Sequence, residues 1–116
     1  ELNLAVHPHL TIADGTTIMI AGGPTSGTPA RTDLLLLSGD RVALDAVGVA
    51  LIRTFGAWPK LKETGVWEQR QIRRAIELGL GASGPHQVEL LSRSVTGPDA
   101  GFDKLVDTIR RDLASV

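Results

Sequence analysis

The sequence predicts an α/β fold: a small sheet of three to four short strands packed with helices. One domain covers residues 1–116 and reads as part of a larger α/β domain. Three observations predict this. The run Asp33 to Ser38, DLLLLS, is continuously aliphatic, as in strands covered by helices on both faces. Residues Val42 to Ile52 are apolar around most of a helix circumference, the mark of a mostly buried helix. Aromatic residues are only 3% of 116 and none is Tyr, so the core has to be built from Leu, Val, Ile and Ala.

Taken in order, Leu2 to Val6 resembles the last turns of a helix stopped by Pro8, which disfavours helical geometry in the residue before it. The chain opens at Glu1 without Met, and the expectation is a fragment of a longer protein. His9 to Ala13 and Thr16 to Ala21 are short β runs. Asp14-Gly15 between them is either a hairpin turn or the carboxyl end of a central strand, where α/β sites form. Gly22 to Ala30 reads as a loop. Asp40 is a natural N-cap for a helix from Arg41 to Thr54 that ends near Gly56. Residues 57–65 form a connector, Val66 to Leu78 a second helix, and Gln87 to Val95 a further strand. Asp99 caps a last helix, Gly101 to Ala114, in which Phe102, Leu105, Val106, Ile109 and Leu113 recur at helical spacing.

Bulk properties exclude several function classes. A net charge of −1 provides no field for nucleic acid or an anionic membrane. No run of about 18 apolar residues is present to span a bilayer. The chain has no Cys, which rules out disulfides, thiolate zinc sites and iron–sulfur ligands within it. Lack of Cys also fits a reducing compartment, and the expected location is cytoplasmic.

The residues that could carry chemistry are few. Gly22 to Pro29, GGPTSGTP, offers backbone N–H groups and three hydroxyls, the makings of an anion-binding nest. Gly22 and Gly27 have Walker A spacing, but the lysine is missing and Pro29 and a strand follow where a helix should open. A tight, ordered connection is the favoured reading. Asp45 falls with Val42, Val49 and Ile52 on one helix side, and a carboxylate there has to be paired or hydrogen-bonded. It could hold the 22–30 loop, pair with Arg31 or Arg41, or be an active carboxylate. His7 and His9 flank Pro8, a spacing that is weak evidence for a metal site, and Asp14 could complete a set with them only if the fold brings it back. Arg70, Arg73 and Arg74 are balanced by Glu68 and Glu77 as a solvated face. No nucleophile motif appears, so no catalytic residue is assigned.

The string Pro8 to Gly15, then Gly23 to Pro29, then Ser38 to Val47 resembles the family called domain of unknown function 362. Gly79-Leu80-Gly81 before a strand is similar to a later segment of that family. The resemblance covers roughly residues 1 to 95, the latter part of the family domain. It implies a bacterial or archaeal protein, often encoded with or fused to a two-cluster ferredoxin module, whose activity is not settled. It also marks Asp14, Gly23, Thr25, Ser26, Gly27, Thr28, Asp40 and Asp45 as a signature. The resulting expectation is a small-ligand- or metal-binding portion of a ferredoxin-linked redox protein. Asp14 and Asp45 would anchor the site, the 23–28 loop would hold an anionic group, and any cluster would lie outside this chain. The alternative is a non-catalytic structural or interaction module, in contact through the Arg70–Arg74 face or an exposed cut surface. Expected partners are a ferredoxin-like domain, the missing N-terminal part of the same protein, or a second copy in a homo-oligomer.

Overall fold

The structure, a computed structural model, describes residues 2–56 and 58–115. After a 3₁₀ turn at Leu2–Leu4, a long hairpin is built from β1 (Thr11–Gly22) and β2 (Gly27–Ser38), paired antiparallel. Four helices follow: α1 (Arg41–Phe55), α2 (Pro59–Glu63), α3 (Arg70–Glu77) and α4 (Ala100–Ala114). Further 3₁₀ turns lie at Val66–Glu68 and Pro85–Gln87.

The fold is mixed α/β as expected, but among the described residues the sheet has two strands rather than three to four. The two β runs on either side of Asp14-Gly15 are one strand. Asp14 pairs with Leu35 and Gly15 with Leu34, and a bulge between Gly15 and Thr17 absorbs the irregularity. The turn is instead at residues 23–26, so the predicted 22–30 loop is mostly strand. Gly22 has a φ of 77° and Gly23 a φ of 108°, values that favour glycine, and a Cβ on Gly22 or Gly27 would run into backbone of the opposite strand. The Gly23-Pro24 peptide is cis.

Three other expectations are corrected. The segment after Gln87 forms no strand among the described residues; Val88 and Leu90 pack on the core while Leu91 and Val95 stay exposed. The predicted helix Val66 to Leu78 is broken at Gln69, whose ψ of 135° is extended. Gln69 is buried, and its Nε2 donates to the carbonyls of Thr64 (2.9 Å) and Leu61 (3.3 Å), so its side chain closes the preceding turn. The connector holds α2, started by Pro59 at its first position, where proline costs no hydrogen bond.

α1 is the centre of the core. Val42, Ala46, Val49, Ala50 and Leu51 are buried against Val66, Trp67, Ile72, Ile109 and Leu113. The small Ala46 and Ala50 let neighbouring elements approach closely. Trp67 Nε1 donates to the Leu113 carbonyl at 2.8 Å, so the large ring is buried without an orphaned donor. Arg53 clamps three elements. It binds both oxygens of Asp112 on α4 (2.8 and 3.2 Å) and donates to the carbonyls of Leu61 in α2 and Thr64 just beyond it.

The hairpin covers α1 with one face only. Ile18, Leu34 and Leu36 pack on the core. Because successive strand residues alternate faces, Leu35 and Leu37 point away, 61% and 56% exposed, beside Ile12 (57%) and Leu10 (56%). The aliphatic run predicted helices on both faces; the described residues supply them on one.

Asp40 fixes how these parts join. It lies in extended geometry (φ −116°, ψ 113°), and its Oδ1 accepts from the N–H groups of Val42 and Ala43, both at 2.9 Å. Its Oδ2 accepts from the Ala82 N–H at 2.7 Å, 42 residues away. Arg41 adds bonds to the Val6 carbonyl (2.6 Å) and the Leu80 carbonyl (3.4 Å). Gly81 passes so close that a Cβ there would collide with the Asp40 carboxylate. Asp40→Ala should therefore lose about 2–4 kcal/mol, a cap plus a buried N–H left without an acceptor. Gly81→Ala should also destabilise, and the two together less than additively, because both break one contact. Urea-unfolding midpoints of the two single variants and the double variant check this.

Candidate functional site

The residues singled out in the sequence lie at separate places on the hairpin and α1. The turn with Gly23, Thr25 and Ser26, and Gly27 and Thr28 at the start of β2, are at one end of the hairpin, and Thr11 and Ser38 pair at the other. At about 3.3 Å per residue, strands of this length put the turn roughly 30 Å or more from Asp40. Asp14 lies between, on the outward face of β1. The structure does not bring these groups to one cleft.

Each carboxylate has its own surroundings. Asp14 is exposed and accepts from Thr16 twice, from the hydroxyl and from the backbone N–H at 2.8 Å. Those bonds, the hydroxyl's first, hold its pKa below the usual aspartate value. Asp40 is occupied by the three N–H groups described above. Asp45 lies on the solvent side of α1, outside the stripe of Val42, Ala46, Val49 and Ala50. This corrects the expectation of a carboxylate on the buried face. The arc of α1 that is covered is wider on the Ala43 and Val47 side than the periodicity suggested, which leaves Asp45 at its rim.

None of the three bonds expected of Asp45 is formed among the described residues. Arg31 pairs with Asp33 at 2.8 Å, and Arg41 donates to the Val6 and Leu80 carbonyls. The 22–30 segment is held by strand pairing and by Gly23 N–H to the Ser26 carbonyl (2.7 Å). Neighbouring atoms still strip enough water from the Asp45 carboxylate to push its pKa up.

Among the described residues no group of three or more His, Cys, Asp or Glu gathers as a metal cage, and no helix is long and apolar enough to cross a membrane. Arg73 and Arg74 form exposed ion pairs with Glu68 (4.0 Å) and Glu77 (3.1 Å), as a solvated face does. One open groove is lined by Asp103, Lys104, Asp107 and Arg110 on α4. Another is lined by Arg53, Lys62 and Arg111. Neither contains a residue singled out from the sequence.

The surface that the sequence reading missed is the outer face of the hairpin, Ile12, Leu35 and Leu37, with the exposed Leu10 just before β1; Ile12 lies directly opposite Leu37 and Asp14 opposite Leu35. Its signal was the DLLLLS run, which showed that both faces are apolar but not that one is bare.

The two shifted carboxylates give opposite pH dependences. A raised folded-state pKa, as at Asp45, adds stability that is fully present below the unfolded value and is lost as pH rises through the folded value. A lowered one, as at Asp14, adds stability above the unfolded value that is lost as pH falls through the folded value. Asp45→Asn should therefore raise the melting temperature near pH 7 and leave it unchanged near pH 3. Scanning calorimetry at both pH values checks the sign.

No curated protein and no solved structure matches the chain. A family match does exist, and it stops short of the Gly79-Leu80-Gly81 segment included in the resemblance. Residues 1–50, which hold β1, β2 and the first ten residues of α1, match the model of the family Domain of unknown function (DUF362), the family that the sequence resembles.

Proposed function

We propose that the chain is a non-catalytic structural and interaction module. A helical core centred on α1 supports the hairpin, and the outer hairpin face docks a partner. The observation that carries this reading is the alternation along β2. Leu34 and Leu36 are packed on the core while Leu35 and Leu37 stand exposed on the opposite face beside Ile12. Aliphatic residues in cross-strand register on an open face are what a docking surface requires. Of the signature aspartates, Asp40 fits this reading, since it is committed to backbone N–H groups that join α1 to residues 80–82, whereas Asp45 is exposed and does not hold the 22–30 segment.

The double variant Leu35→Lys, Leu37→Lys tests it. Both side chains are more than half exposed, so stability should change by only about 0.5 kcal/mol. Binding of a fluorescent hydrophobic dye should fall several-fold relative to wild type. Equal dye binding in the two proteins would overturn the reading.

A second reading keeps the turn as a ligand site of a ferredoxin-linked redox protein. One observation favours it: the hydroxyls of Thr25, Ser26 and Thr28 are exposed, with no hydrogen bond among the described residues. Titration with inorganic phosphate, followed by amide NMR, should then shift residues 23–28 saturably and leave residues 40–45 unmoved. Unshifted turn amides at millimolar phosphate would sink that reading.

A further inference from the structure

We propose that the occupant of the outer hairpin face is a single amphipathic helix from outside these 116 residues, aliphatic along one stripe and carrying Lys or Arg where it passes Asp14. The inference rests on the docking reading above and adds the chemistry of the partner.

Extent is the first argument. Leu10, Ile12, Leu35 and Leu37, each more than half exposed, form an aliphatic patch confined to one end of the hairpin. A stack of two hairpins would also have to cover the polar Thr17 and Arg31 further along the same face, which one short helix leaves in water. The patch is near the footprint of one short helix. Leu10 to Asp14 spans about 13 Å of strand, which two to three helical turns cover.

Charge is the second argument. Asp14 projects from the same face, directly opposite Leu35. Thr16 holds it by two hydrogen bonds, and no cation pairs with it among the described residues. Asp33, two residues from Leu35, is already paired with Arg31. The aliphatic patch therefore ends in one uncompensated negative charge. A two-fold stack of hairpins would bring two such charges into one interface, whereas a helix with a basic flank neutralises the charge.

Covering geometry is the third. Strand addition at an edge of the hairpin would satisfy backbone groups but leave the four aliphatic side chains in water. A helix laid across the strands buries them, as α1 buries Leu34 and Leu36 on the inner face.

The test uses the 116-residue chain and two designed 15-residue helical peptides with identical Leu stripes, one flanked by Lys and the other by Glu. Amide NMR titration should give saturable shifts confined to residues 10–14 and 33–37. The Lys peptide should bind more tightly by a factor of about three or more, a difference lost at high salt and in Asp14→Asn. The Leu35→Lys, Leu37→Lys variant, with its melting temperature confirmed, should bind neither peptide.

Equal affinity for the two peptides, or shifts on other residues, would overturn the helix proposal. Concentration-dependent dimers of wild type in sedimentation, broken by the double Lys variant, would assign the face to a second copy. That result would overturn the helix proposal and keep the docking reading. No peptide binding, no dimer, and dye binding unchanged in the variant would reject both.

Discussion

The Asp40 carboxylate is the contact on which the rest of the structure depends. Both oxygens are used, and for different purposes: one ends the hairpin and starts α1, the other holds the backbone at Ala82. A helix N-terminus leaves donors that need acceptors, and an Asp cap supplies one locally. Here the same side chain also fixes a segment 42 residues later, which places the glycine-rich stretch after α3 against the start of α1. Arg41 reinforces the junction from the next residue, reaching Val6 on one side and Leu80 on the other. Hairpin, central helix and the segment leading to α4 are thus set relative to each other by two adjacent charged residues.

A second polar clamp works at the other end of α1. Arg53 and Gln69 both donate to carbonyls of the 61–65 turn, and Arg53 also holds Asp112. Where α2 ends, its last carbonyls have no continuing helix to bond, and these side chains provide the donors instead. Between the two clamps lies the aliphatic contact of α1 with Ile72, Ile109 and Leu113. Apolar burial supplies the driving force and the polar ends set the geometry, which is how a core with so few aromatic residues keeps one arrangement.

What was legible in the sequence was local chemistry. Asp40 and Asp99 as caps, Gly56 as a left-handed C-cap and α4 by its periodicity are all where the residues place them. What was not legible depended on long-range pairing. Asp14-Gly15 has the composition of a turn, but the register with Leu34 and Leu35 extends the strand through it and turns at the glycines of 22–27 instead. The aspartates could not be ranked for the same reason. Asp45 sits on an apolar helix by sequence, and only the packing of the hairpin and α4 decides which arc of that helix is covered. Asp40 looked like a simple cap, because its second partner is distant in sequence.

The bare outer face follows from the same distinction between local and long-range information. A strand such as DLLLLS commits its alternate residues to two opposite surfaces, and α1 can take only one of them. The local sequence cost of an aliphatic outer face is borne whether or not anything covers it, since exposed leucines in register are a liability for an isolated hairpin. β2 carries that liability at Leu35 and Leu37 while β1 matches it at Ile12. A surface whose only role was solvation would be better served by Thr or Lys at these positions, as Thr17 and Arg31 serve further along the same face. The hairpin face therefore changes character at Asp14: on one side it is aliphatic at Ile12, Leu35 and Leu37, and on the other it is polar at Thr17 and Arg31.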